Sequence, residues 1–75
     1  MKKDEMKSKL DSLIKKVDDL NKEMEETWKF LEGQWLQDED NDTLHEMYSY
    51  VMEAQIVYEG TLSDLRDARK MANLL

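Results

Sequence analysis

Residues 6–24 of the chain read MKSKLDSLIKKVDDLNKEM, and this stretch decides the fold. Its apolar residues recur at alternating steps of four and three, which is the heptad spacing of one face of an α-helix. After residue 24 the pattern shifts by one position and continues through two tryptophans. The spacing predicts one long helix over about residues 3–36. The first apolar stripe comprises Met6, Leu10, Leu13, Val17, Leu20, Met24, Trp28, Leu31 and Trp35.

Charged residues on the rest of this segment favour a solvated helix surface. Four acidic residues each precede a lysine by four positions, an order that stabilises a helix by about 0.3 kcal/mol per pair. Gly33 offers an alternative end, because a C-capping glycine there would end the helix near Glu32 and leave Trp35 in a loop. The expected pairs are Glu5 with Lys9, Asp11 with Lys15, Asp18 with Lys22, and Glu25 with Lys29.

A polar link over residues 37–42, QDEDND, interrupts the apolar pattern. It has no apolar residue and is rich in turn formers. Thr43 and Glu46 then have the spacing of a capping box, which predicts Thr43 as the N-cap of a second helix. Asp42 is the alternative cap.

A second apolar stripe follows the link, and its steps alternate three and four without a shift. It predicts a second helix over about residues 43–75. Gly60 is the weak point, since Thr61 could cap a new helix after it, but the unbroken phase favours one helix. The second stripe comprises Leu44, Met47, Val51, Ala54, Tyr58, Thr61, Leu65, Ala68, Ala72 and Leu75.

Two helices of similar length with a short link predict an all-α fold, a single antiparallel helical hairpin spanning residues 1–75. A chain of 75 residues buries a small core, and such domains usually need extra stabilisation. Disulfides are excluded because there is no cysteine, and His45 is the single histidine. Self-association is therefore expected, with two hairpins forming a four-helix bundle as a homodimer.

The net charge of −7 argues against nucleic acid or an anionic membrane as a default partner and favours a basic protein. The chain begins MKKDE with no apolar run behind it, so we expect no signal peptide. No stretch approaches the roughly 20 apolar residues of a membrane span. A cytoplasmic location is the expectation.

Charge is unevenly distributed along the chain. Residues 1–17 carry six lysines against three acids, a net charge of +3, and residues 60–75 carry three basic residues against two acids, a net charge of +1. Residues 18–59 carry thirteen acids against two lysines, a net charge of −11. In a hairpin both termini lie at one end, so the link end is strongly acidic. This end is either a solubilising tip or a docking surface for a basic protein, including one that binds nucleic acid.

Aromatic and apolar residues concentrate near the same end. Residues 47–58 are apolar nearly all round, so a single partner helix covers only part of them. The cover is either a second copy of the chain, for which we select Met52, Ile56 and Val57, or a different protein. The aromatic residues are Trp28, Phe30, Trp35, Tyr48, Tyr50 and Tyr58. The predicted partner-binding residues are Glu32, Trp35, Asp38, Glu39, Asp40, Asp42, Glu46, Tyr48, Tyr50 and Glu53.

Two metal-like patterns are incomplete. Asp38, Asp40 and Asp42 have the alternate spacing that opens a calcium loop, but Thr43 and Ser49 stand where that loop needs Gly and Glu. Asp42 and His45 form one acid–histidine pair, whereas helical di-iron sites need several. No phosphate loop or catalytic triad is recognisable. We therefore expect no cofactor, no metal and no enzymatic activity.

The combined expectation is a small acidic protein-binding module or inhibitor that acts through its acidic, aromatic end. Small acidic proteins of this kind occur among phage-encoded inhibitors and antitoxins, an analogy of size and charge alone. The alternative is a structural or assembly protein that uses its apolar surface only for self-association.

Overall fold

A computed structural model describes residues 2–75, which form two α-helices packed side by side as a hairpin. Helix α1 spans Lys3–Leu36 and helix α2 spans Asp42–Ala72. The molecule is a rod with extents of 58 × 14 × 12 Å. The expected all-α hairpin is confirmed. Met1, which the single-domain prediction includes, lies outside the described residues.

The start of α2 differs from the prediction. Asn41 is the N-cap: its backbone is extended and its side chain accepts a hydrogen bond from the backbone N–H of Leu44 at 3.2 Å. Thr43 and Asp42, the predicted cap and its alternative, both lie inside the helix. Asparagine caps as well as aspartate because its short side chain reaches the free N–H groups of the first turn.

The helices also end differently from the alternatives considered. Helix α2 ends at Ala72, with Asn73 as C-cap, rather than continuing to residue 75. Gly33 and Gly60 both lie inside helices and neither has a positive φ angle. Neither glycine therefore ends or breaks a helix.

Side chains enclosed between the two helices form what we call the seam. Its positions follow steps of three and four along each helix without a shift, and Leu62, Ala72 and Gln55 are its buried members. The other seam residues are half-buried. On α1 the seam comprises Lys7, Leu10, Ile14, Val17, Asn21, Met24, Trp28, Leu31 and Trp35, and on α2 it comprises Leu44, Tyr48, Val51, Gln55, Tyr58, Leu62, Leu65, Arg69 and Ala72.

The predicted stripes were therefore one residue out of phase at alternate positions. Eight stripe residues are exposed, and for each of them except Leu75 a sequence neighbour occupies the seam instead. At the link end of α1 the stripe and the seam agree. One physical reason is that some of these seam residues are polar or charged, which apolarity could not reveal: Lys7, Asn21, Gln55 and Arg69. At Ile14, Tyr48 and Leu62 the apolar spacing instead favoured the wrong one of two adjacent residues. The displaced stripe residues are Met6, Leu13, Leu20, Met47, Ala54, Thr61 and Ala68.

Three of the four expected ion pairs along α1 form, but the pair of Asp11 with Lys15 does not. Asp11 instead accepts a hydrogen bond from the Arg69 guanidinium across the hairpin at 2.7 Å, and Lys15 pairs with Asp19 at 3.0 Å. Arg69 reaches Asp11 because it occupies the seam. Over residues 2–75, neither helix has an apolar run long enough to cross a membrane.

Candidate functional site

The link between the helices is an ordered turn of residues 37–41. The backbone N–H of Asp38 donates to the carbonyl of Trp35 at 2.9 Å, and the N–H of Asn41 donates to the carbonyl of Asp38 at 3.0 Å. The Asn41 side chain also donates to the Asp38 carboxylate at 3.2 Å while it caps α2. One asparagine thus holds both the link and the start of α2, and the link acids extend from a defined backbone.

The acidic residues at this end of the rod face solvent, apart from one. Glu32 is half-buried beside the seam, whereas the others are exposed. Asp42 also lies in the first turn of α2, where a negative charge is stabilised by the helix dipole. The exposed predicted acids are Asp38, Glu39, Asp40, Asp42, Glu46 and Glu53.

Three aromatic rings close the seam next to the link. The ring centroids of Trp35 and His45 are 5.0 Å apart, those of His45 and Tyr48 are 5.0 Å apart, and those of Trp35 and Tyr48 are 5.5 Å apart. Tyr48 was not part of the predicted second stripe, but this tyrosine is half-buried and is a seam residue. Part of the Trp35 and Tyr48 surface is thereby used for folding, and their role in partner binding stays a prediction.

Other large apolar side chains near this end are exposed. Tyr50 is 67% exposed and Phe30 is 65% exposed. Leu36, at the end of α1, is exposed as well. The predicted site did not include Phe30 or Leu36. Both are apolar residues outside the first stripe, and this position was the sequence signal that they are exposed.

Gln55 is a polar side chain enclosed in the seam, and a hydrogen bond across the hairpin accounts for its burial. Its side-chain oxygen accepts a hydrogen bond from the indole N–H of Trp28, and the residue is 7% exposed. A buried amide and a half-buried indole thereby satisfy each other. This pair joins the helices at one fixed register, because each group has a directional partner on the other helix.

The two sides of the seam differ in chemistry. On one side, which we call the charged flank, Asp18 of α1 approaches Arg66 of α2 at 3.8 Å. On the other side, the apolar flank, every residue is exposed and none is charged. The apolar flank comprises Met6, Leu13, Leu20, Thr27 and Gln34 of α1, Met47, Ala54, Thr61 and Ala68 of α2, and Leu75, which follows the end of α2.

An open apolar groove of about 570 Å³ marks the terminal end of the apolar flank. Met6 of α1 and Ala68 of α2 line the same groove, so residues of the flank on the two helices are neighbours. The seam residues Leu10 and Ala72 also line it. The remaining lining residues are Lys9, Met71, Leu74 and Leu75.

The residues predicted for self-association fall on different sides. Val57 borders the apolar flank and is 67% exposed. Met52 is half-buried on the charged-flank side, and Ile56 is exposed on that same side. These three residues therefore do not form one surface.

The link acids do not converge on a common point. Within residues 2–75 there is no cluster of three or more histidine or acidic side chains placed to hold a metal ion. The chain matches no protein-family model, no curated protein and no solved structure at a significant level. The surface chemistry of the hairpin is therefore the basis for a functional proposal.

Proposed function

We propose that this chain is an acidic protein-binding module that docks a basic protein through its link end, and that it acts by binding rather than catalysis. The observation that carries the proposal is the exposed set of link acids on an ordered turn, in a segment with no lysine or arginine from residue 30 to residue 65. Complementary charge raises the association rate and selects partners of opposite sign. A basic surface that contacts nucleic acid is one such target, and occupying it would inhibit that protein.

Exposed aromatic rings next to the acids supply the short-range part of the interface. Tyr50 and Phe30 present most of their ring surface to solvent. Tyrosine is a frequent anchor of protein interfaces because it buries a large area and loses little side-chain entropy. In this proposal the link acids steer the partner and Tyr50 slows its dissociation.

We further propose that the working form is a homodimer with a four-helix core. Leu62 and Ala72 are the buried apolar residues of the hairpin, a small core for a domain of 75 residues. Burial of more apolar surface against a second copy would supply the missing stability. Sedimentation at micromolar concentration tests this, and a stable monomer would contradict it.

Two matched variants test the docking site. The link variant carries Asp38→Asn, Glu39→Gln, Asp40→Asn and Asp42→Asn. The control variant removes the same charge from the terminal half of the rod, through Asp4→Asn, Glu5→Gln, Asp64→Asn and Asp67→Asn. Both change the net charge from −7 to −3.

Each variant is used to capture proteins from the source cells, and captured proteins are identified by mass spectrometry. We expect a basic protein, bound in stoichiometric amount, to be retained by the wild type and by the control variant but lost by the link variant. The link variant should keep the wild-type melting temperature or gain slightly, because relief of repulsion among four carboxylates offsets the weaker contacts of residues 38 and 42 with Asn41 and the helix dipole. Equal capture by both variants would contradict a link-end site.

A second candidate function is structural, with the hairpin serving as an assembly unit. The exposed apolar flank along both helices favours it, because a surface of this kind suits self-association. Tyr50→Ala separates the two functions. Loss of the basic partner with an intact dimer supports docking, whereas loss of the dimer, with a link variant that behaves as wild type, supports assembly alone.

A further inference from the structure

On each helix, the centre of the apolar stripe lies to one side of the seam. The second stripe, and the first stripe as far as Met24, alternate between seam residues, such as Leu10 and Leu65, and residues of the apolar flank, such as Leu13 and Ala68. Meanwhile Asn21, Gln55 and Arg69 occupy seam positions. A helix that contacts a single partner centres its apolar residues on that contact. Both helices here are instead centred between the seam and the same flank, as helices of a larger bundle are.

We propose that the apolar flank packs against the apolar flank of a second copy, and that the two rods run antiparallel, with their links at opposite ends. This inference rests on the proposed homodimer and assigns its interface and orientation. The two flanks then form the centre of the four-helix core. The two-fold axis would be perpendicular to the rods and would pass between them beside Leu20 and Thr61, which lie halfway along the flank.

The size of this face suits a stable dimer. One side of the rod measures 58 by 14 Å, so a contact along most of its length would approach the roughly 800 Å² per partner that a standard interface buries. Leu13, Leu20 and Met47 are each about two-fifths exposed, so each has surface left to bury. Such an isologous contact also closes at two copies and leaves no apolar flank free for further growth.

Charge selects the antiparallel orientation. The terminal half of the rod, residues 2–17 and 60–75, has a net charge of +4, while residues 18–59 carry −11. Antiparallel copies set the basic half of one rod against the acidic half of the other. Parallel copies would set two links side by side, and their Asp38, Glu39, Asp40 and Asp42 carboxylates would repel one another.

The outer edge of the apolar flank on α1 shows the same complementarity at residue level. Lys9, Lys16, Glu23 and Phe30 follow one another there at intervals of seven residues. With the two-fold axis near Leu20, Lys16 comes beside Glu23 of the second copy, because the two residues lie at similar distances on either side of the axis. Opposite charges thus meet at the rim of the interface.

Spin-label distances in the purified protein test the orientation. The chain has no cysteine, so Glu39→Cys and Ser63→Cys each introduce a single labelling site. In the antiparallel dimer the labels on Glu39→Cys should be separated by nearly the 58 Å length of the rod. In a parallel dimer they should lie within roughly 20 Å, about two interhelical spacings. Ser63 lies two residues from Thr61 and therefore near the proposed axis, so labels on Ser63→Cys should be close in both dimers and report dimer formation.

A short distance for both labels would overturn the antiparallel orientation, and no intermolecular distance for Ser63→Cys would overturn the dimer. The salt dependence of the dimer dissociation constant is a second test of orientation. Added salt should raise this constant for an antiparallel dimer, because screening removes attraction between the two copies. It should lower the constant for a parallel dimer, because screening removes repulsion. Neither measurement contains a partner protein, so failure of the docking proposal leaves both results unchanged.

A matched pair of substitutions tests the interface itself. Leu20→Glu places a charge in the centre of the apolar flank and should raise the dimer dissociation constant by at least roughly 100-fold. Ile56→Glu makes a comparable change on the opposite side and should leave the dissociation constant unchanged. If Ile56→Glu dissociates the dimer while Leu20→Glu does not, the assignment of the apolar flank is wrong. Helix content measured on both variants separates dissociation from unfolding.

Discussion

The seam and the apolar flank make an instructive comparison, because the enclosed seam includes polar residues while the exposed flank includes large apolar ones. The seam encloses Asn21, Gln55 and Arg69, while the flank beside it exposes Leu13 and Leu20. The single hairpin thus holds its helices together partly by polar contacts and leaves apolar surface uncovered. Substitutions in the seam should change the stability of the hairpin, and substitutions in the flank should change its association.

The largest expected effect comes from one seam leucine. Leu62 is 5% exposed, and Leu62→Ala removes buried methyl groups and leaves a cavity, which should lower the free energy of unfolding by about 3 kcal/mol. Leu13→Ala makes the same type of change at a flank residue that is 45% exposed. Urea unfolding at several protein concentrations compares the two.

The Leu62→Ala loss should be present at every concentration. The Leu13→Ala loss should be small in dilute protein and grow as the dimer forms, because Leu13 is covered only in the dimer. Equal losses at low concentration would remove the distinction between seam and flank.

The hydrogen bond between Trp28 and Gln55 should give the next largest effect. Gln55→Leu leaves the indole N–H in a half-buried position without its acceptor and should lower the free energy of unfolding by about 1–2 kcal/mol. Adding Trp28→Phe removes that donor and should recover part of the loss. A double-mutant cycle by thermal unfolding measures the coupling, and additive losses would mean that the bond contributes nothing to the seam.

Substitution of Asn21 should increase the stability of the hairpin, unlike the two changes above. Its side-chain oxygen is buried and has no hydrogen-bond partner among residues 2–75. Asn21→Leu should raise the free energy of unfolding by about 1 kcal/mol, since an unsatisfied buried polar group is replaced by an apolar one. Denaturant midpoints of wild type and variant decide it. A destabilised variant would show that Asn21 contributes a contact that this hairpin alone does not make.

The smallest effect should come from the charged flank. Asp18 approaches both Lys22 at 3.1 Å and Arg66 at 3.8 Å, but all three side chains are partly or largely exposed. Asp18→Asn should therefore lower the free energy of unfolding by less than about 0.5 kcal/mol, with the difference fading in high salt. A loss as large as that of Leu62→Ala would mean that charge, rather than packing, holds the helices in register.

The sequence predicted the two helices and their hairpin because apolar spacing and link composition are local signals. It did not predict the seam correctly, because apolar spacing gives no signal for enclosed polar residues. Gln55 and Arg69 are enclosed with hydrogen-bond partners on the other helix, whereas Asn21 is half-buried although its side-chain oxygen has no such partner among residues 2–75. The shift of the first stripe at Trp28 was a sign that the stripe and the seam differ. The seam passes through Ile14 and Asn21 and reaches Trp28 without any shift.

At the link end, the exposure of Asp38, Glu39 and Asp40 follows from their residue type, and the structure shows it. The stacking of His45 on Trp35 and the capping by Asn41 were not predicted. Both depend on which residue begins α2, and three neighbouring polar residues could each have served as the cap. A shift of that start by one residue turns every side chain of the first turn by about 100°.

The single link also has a consequence for the order of folding. In a hairpin, the chain that must be closed to form a contact lengthens steadily with distance from the link: Trp28 and Gln55 are 27 residues apart, whereas Asp11 and Arg69 are 58 residues apart. Each doubling of the number of residues in the closed loop raises the entropic cost of closing it by about 0.6 kcal/mol. The rings beside the link therefore have the shortest loops to close, and the helices should join from Trp35 and Tyr48 towards the termini. Substitutions near the link should slow refolding, while those near Ala72 should chiefly accelerate unfolding.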